Sequence, residues 1–127
     1  YDKSGNPFNN RKIIVENTLQ KVKYAKQILT HNSTSVNFAA IYKIPIIFIS
    51  SIHYSLGMRI SIEAMAKEFN QIPLNISKNY KNLVSKRMTV DNEIYSNYIN
   101  KYIVSSNKEY TNKYSYEVIY KSLFNVN

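Results

Sequence analysis

Between Ile28 and Ala39 the chain reads Ile-Leu-Thr-His-Asn-Ser-Thr-Ser-Val-Asn-Phe-Ala. No other stretch gathers so many groups that could do chemistry. An imidazole (His31), a carboxamide (Asn32) and three hydroxyls (Ser33, Thr34, Ser35) stand in consecutive positions, after an apolar run and before a helical pattern. A strand-to-helix turn of this composition suits an anion. The first amides of a helix lack partners within it, its dipole favours negative charge, and hydroxyls add donors. Phosphate binding is therefore one expected role of His31 to Ser35. Ser and Thr are equally the usual helix N-caps, and both roles stay open here.

A second group follows the next apolar run, in Ser50-Ser51-Ile52-His53-Tyr54-Ser55-Leu56-Gly57-Met58-Arg59. His53, Ser55 and Arg59 could join the same site, the guanidinium as a bidentate partner for a phosphate. They read as well as a surface loop leading into a helix. Asp91 and Glu93 sit too close to one helix start to act as a separated acid and base, so capping is the expected role. Tyr95, Tyr98 and Tyr102 have the spacing of a packed helix face.

Composition removes several alternatives. The 127 residues include no cysteine, which excludes a disulfide framework, a thiolate metal site and a cysteine nucleophile. Two histidines supply too few ligands for a metal centre, so no metal site and no cofactor are expected. With only Gly5 and Gly57, neither a P-loop nor a GxGxxG fingerprint can be written. There is no DxD sequence. No apolar run reaches the length of about 18 residues that spans a membrane. The formal net charge is +9, but the lysines and arginines are scattered, with no run of five like charges. An Asn-, Lys- and Tyr-rich, Gly-poor composition is what an AT-rich genome tends to encode, and for part of that charge this reading stands level with a polyanion-binding role.

The elements that must position these groups alternate. Residues 1–14 read as an entry loop with a Gly-Asn-Pro turn signal. A helix is expected from Thr18 to Lys26, a strand over Gln27–Thr30, a helix over Val36–Tyr42 and a strand over Ile46–Ile49. A helix from Met58 to Phe69, with Ile62, Met65, Ala66 and Phe69 on one face, leads to a strand over Ile72–Ile76. The unalternating run Ile46-Ile47-Phe48-Ile49 suits a strand buried on both faces. Residues 77–90 carry no clear pattern. Asp91 opens a helix with Ile94, Tyr95, Tyr98, Tyr102 and Ile103 on its apolar face, and Ser115–Phe124 reads as a closing helix. The fold class expected is α/β: a Rossmann-like three-layer fragment with a short parallel sheet in residues 15–77, plus C-terminal helices in 90–124. Ligands of such sheets bind at the carboxyl ends of the strands, where both candidate loops lie. About three strands make a thin core for a single domain of residues 1–127, and further chain on the N-terminal side is expected.

The segment "NTLQKVKYAKQILTHNSTSVNFAAIYKIPIIFIS" resembles the C-terminal, donor-binding half of GT-B glycosyltransferases of bacterial surface polysaccharide synthesis. The residues that carry the resemblance are His31, Ser33, Thr34, Phe38, Ala39, Pro45, Ile46, Ile47 and Phe48: a helix and strand, a His-x-Ser-Thr element, a small-residue helix and a Pro-led apolar strand. The likeness covers residues 15–76 well and 90–123 loosely. It implies that Ser33 and Thr34 contact the phosphate of a nucleotide-sugar, as in sialyltransferase-like enzymes using CMP-linked donors, with Ser35 as a neighbour. It implies a metal-independent transferase in capsule or lipopolysaccharide synthesis, at work in the cytoplasm or peripherally at the inner face of the membrane. The partners implied are the nucleotide-sugar and a glycan acceptor held by an N-terminal half, with no specific nucleic acid. The His-Pro and paired-acidic motifs of bacterial sialyltransferases are absent. No catalytic base is assigned, and this portion is expected to bind donor without transferring it alone.

Two other readings compete. The charge and the tyrosines suit a basic module that binds nucleic acid or an anionic surface. An inactive structural domain of a glycan assembly system would keep the fold without the activity.

Overall fold

The computed structural model describes residues 17–77, 89–104 and 123. Along the chain the elements are α1 (Thr18–Lys23), β1 (Ile28–Thr30), α2 (Ser35–Ile41), β2 (Ile46–Ser50), α3 (Leu56–Glu68), β3 (Leu74–Asn75) and α4 (Asn92–Tyr102). The strands form one parallel sheet in the order β1-β2-β3. Ile28, Leu29 and Thr30 stand beside Ile46, Ile47 and Phe48. Ile49 and Ser50 stand beside Leu74 and Asn75. The α/β class and the short parallel sheet agree with the sequence reading. The entry loop, the segment 78–88 and the closing helix Ser115–Phe124 lie outside the described residues, apart from helical Leu123.

Element boundaries move for identifiable reasons. α1 stops at Lys23, three residues earlier than expected, because the amide of Ala25 turns back to the carbonyl of Val22 at 3.0 Å. α2 ends where Lys43 takes a left-handed φ of 53° and the Ile44 amide returns to the Ala39 carbonyl at 2.8 Å. α3 begins two residues before Met58, because Ser55 caps it by accepting from the Met58 amide. Gly57 therefore lies inside the first turn and not in the loop. β3 shrinks to two residues, since Pro73 has no amide to give a ladder.

Period-two geometry divides the sheet's side chains. Ile46 and Phe48 face the helices. They form the core with Val22 of α1, Val36, Ala39 and Ala40 of α2, Ile62 and Ala66 of α3, Phe69, and Tyr95 and Tyr98 of α4. Ile47 is 3% exposed but stands outside that cluster, and Leu29, on the same face, is half exposed. The described residues thus make a sheet covered by helices, and the third layer of a Rossmann-like arrangement is not among them.

The Phe69 ring is the hub of the core. Its centroid lies 5.6 Å from that of Phe48, 5.2 Å from Tyr95 and 4.5 Å from Tyr98. Tyr95 and Tyr98 pack in the core, as the spacing predicts, whereas Tyr102 is half exposed and meets the Tyr98 ring, with centroids 4.9 Å apart. Tyr98 also donates to Asn37 Oδ1 at 2.8 Å, which fixes α4 against α2. The Asp91 carboxylate accepts from the amides of Glu93 and Ile94, the capping role expected of it.

Candidate functional site at the carboxyl edge of the sheet

Three loops leave the sheet at its carboxyl edge, after Thr30, Ser50 and Asn75. Because all three strands run the same way, the first two bring both groups of candidate residues to one edge. The loop after β1 is anchored at its base by Thr30, which is buried, and then rises to the surface through His31 and Asn32.

His31 accepts the Asn32 amide on Nδ1 at 2.9 Å. In a neutral ring that leaves the proton on Nε2, a free donor on an exposed side chain. The ring stands edge-on to Tyr54, with centroids 6.2 Å apart and planes at 76°. This contact joins the loop after β1 to the loop after β2. Asn32 Nδ2 donates to Ser61 Oγ at 3.2 Å, which ties the first loop to α3.

The helix start departs from expectation. Thr34, the N-cap residue of α2, has helical dihedrals and makes no side-chain cap bond. Ser33 Oγ instead accepts the Ser35 amide at 3.3 Å and shares a hydrogen bond with Ser35 Oγ at 2.8 Å. The amides of Val36 and Asn37 turn back to the carbonyls of Ser33 and Thr34 at 3.1 and 3.0 Å. Three amides counted as free for an anion are therefore satisfied locally. A tight first turn closes 3₁₀-type bonds and consumes donors that a looser cap would leave outward. The donors that remain include the amides of Ser33 and Thr34, the Thr34 hydroxyl, one proton of the Ser33–Ser35 pair and His31 Nε2.

In the second loop His53 is exposed, and its amide donates to Ser51 Oγ at 3.1 Å. The Ser55 hydroxyl accepts from Met58 as the cap of α3, which gives it a structural task beside any contact with a ligand. Arg59 is half-buried, and its Nε is a buried donor with no partner among the described residues. Ser61, Asn75 and Ser77 have no place in the sequence reading, although Ser77, just past a strand at the same edge, satisfies the positional rule that singled out the other two loops.

Among the described residues no group of three or more His, Asp or Glu could hold a metal ion. No described helix is long and apolar enough to cross a membrane. No protein-family model, no curated protein and no solved structure matches this chain.

Proposed function

We propose that the chain is the nucleotide-sugar-binding part of a glycosyltransferase acting in cell-surface polysaccharide synthesis. The observation that carries this reading is the convergence of two donor-rich loops at the carboxyl edge of a parallel sheet, linked by the His31–Tyr54 ring contact. That edge is where open α/β sheets bind nucleotides. The GT-B likeness of the sequence adds the chemistry: Ser33, Thr34 and Ser35 meet the donor phosphate, with Asn32 and His31 beside them. His53 and Ser55 approach from the second loop, and Arg59 from the first turn of α3.

The role of these groups is electrostatic. As a glycosidic bond to a nucleotide phosphate breaks, negative charge grows on the departing phosphate oxygens. Hydroxyl and imidazole donors fixed there stabilise that charge without a metal ion. Fixed donors help most because they need no reorganisation at the moment of reaction. The loop is held for this purpose by Asn32 on Ser61 and by Ser33 on Ser35. The proposal extends to a donor with a CMP leaving group, a glycan acceptor bound by other chain, and work at the inner face of the membrane. Calorimetric titration with CMP, UDP and cytidine tests it. Binding of a nucleotide with a clear preference over the phosphate-free nucleoside supports the reading, and equal failure of all three rejects it.

A further inference from the structure

The loops after β2 and β3 are latched by a pair of serines. Ser51 Oγ and Ser77 Oγ lie 2.8 Å apart. Each also accepts an amide: His53 N donates to Ser51 Oγ at 3.1 Å, and Ile52 N donates to Ser77 Oγ at 3.3 Å. The turn at Ser77 is itself fixed by its amide on Asn75 Oδ1 at 3.0 Å. A hydroxyl has one proton, so of the two protons in this pair only one can lie between the oxygens.

Burial decides which. Ser51 is 4% exposed, whereas Ser77 is exposed. If Ser77 donated to Ser51, the Ser51 proton would be left inside the protein without an acceptor among the described residues, and a buried unsatisfied donor carries its full desolvation penalty. If Ser51 donates, the spare proton belongs to Ser77, where solvent or a ligand can take it. Two donors into Ser77 Oγ also polarise its O–H bond and make it a better donor.

We infer that Ser77 is a third ligand-binding group of this edge, an oriented hydroxyl that donates to an anionic oxygen. The inference rests on the nucleotide-sugar reading for the identity of the ligand. Strands in a sheet are spaced about 4.8 Å apart, so the end of β3 lies roughly 10 Å from the end of β1. Ser77 and Ser33 therefore meet different parts of an extended ligand. The shared chemistry is an oxyanion, supplied either by phosphate or by the carboxylate of an acidic sugar.

The test uses the 127-residue chain and its Ser77→Ala and Ser77→Thr variants, titrated with cytidine, CMP and CMP-N-acetylneuraminate. Ser77→Ala is expected to weaken binding by about tenfold, as for a lost hydrogen bond to a charged group, while Ser77→Thr restores it and cytidine is unaffected. Equal loss for CMP and the sugar nucleotide identifies the phosphate, and loss for the sugar nucleotide alone identifies the carboxylate. Unchanged affinity for both, or an equal loss that includes cytidine, overturns the inference, the latter because a distorted loop would be the cause. If Ser77→Ala does not fold, the Ser77 amide shift of the unaltered chain on titration with inorganic phosphate decides, and silence there rejects the site. Failure of the unaltered chain to bind any nucleotide, with the Ser77 amide still shifting in phosphate, rejects the nucleotide reading and keeps the oxyanion site.

Discussion

Tyr95 of α4 donates its hydroxyl to the carbonyl of Ile44 at 3.1 Å and accepts the amide of Ile46 at 3.2 Å. One side chain thereby spans Pro45 and satisfies the two backbone groups that flank it at the entrance to β2. Gln71 Nε2 reaches the carbonyl of the same Ile46 at 2.9 Å. Ile46 is fully buried, so its polar groups have no recourse to water. The strand that carries the second candidate loop is thus positioned by a helix some fifty residues further along the chain.

Replacing Tyr95 with Phe keeps the ring against Phe69 and removes only the hydroxyl. The Ile46 amide and Ile44 carbonyl then lose their partner, and the chain is expected to lose about 1–3 kcal/mol of stability. Urea denaturation monitored by circular dichroism measures this, and an unchanged midpoint would contradict the part given to this hydroxyl.

Phe69→Ala is a harsher change, because it empties the position shared by Phe48, Tyr95 and Tyr98. A loss of about 3–5 kcal/mol is expected for a buried Phe. That is a large part of the roughly 5–15 kcal/mol available to a domain. The transition should broaden or move far down in urea. Asp91→Ala is the mild companion, costing about 0.5–2 kcal/mol through loss of the α4 cap.

Alkaline pH should weaken the fold. Burial pushes the phenols of Tyr95 and Tyr98 above their ordinary value of 10.0, and the neighbouring Tyr102 and Glu68 raise Tyr98 further. The folded state holds these protons more tightly than the unfolded chain. Their contribution is complete below about pH 10 and disappears as pH rises through the folded values. Urea midpoints taken at steps above pH 9 should fall, and Tyr98→Phe should flatten the fall. A flat profile in the unaltered chain would contradict the buried placement.

At the candidate site, Ser33→Ala with Thr34→Ala should weaken nucleotide binding by about 1–3 kcal/mol, from hydrogen bonds lost to a charged group. Ser33 also holds the Ser35 amide, so Thr34→Ala alone is the cleaner variant. Calorimetry on both variants checks the effect. Unchanged affinity would remove these residues from the site.

Period and composition made much of the fold legible. The run Ile46 to Ile49 and the cap at Asp91 are local signals, and they stand where local chemistry puts them, whereas the cap at Ser55 moved the start of α3 two residues ahead of its expected place. What the sequence left hidden depends on partners far along the chain. The Tyr95–Ile46 and Ser51–Ser77 bonds join residues 49 and 26 positions apart, and no spacing rule reports such pairs. The helix start at Ser33–Ser35 was visible as a place rich in donors. Its closure was not, because whether Ser33 meets an amide or a ligand depends on the dihedrals of Thr34, which propensity does not set.

The nucleotide reading stands or falls on amide chemical-shift mapping of the full chain with CMP, UDP and a DNA oligomer. The account predicts shifts at Thr30 to Val36 and at Ser51 to Ser55 with a nucleotide, and little response to DNA. Silence of those amides with every nucleotide, together with DNA shifting a lysine-bearing face, would contradict it.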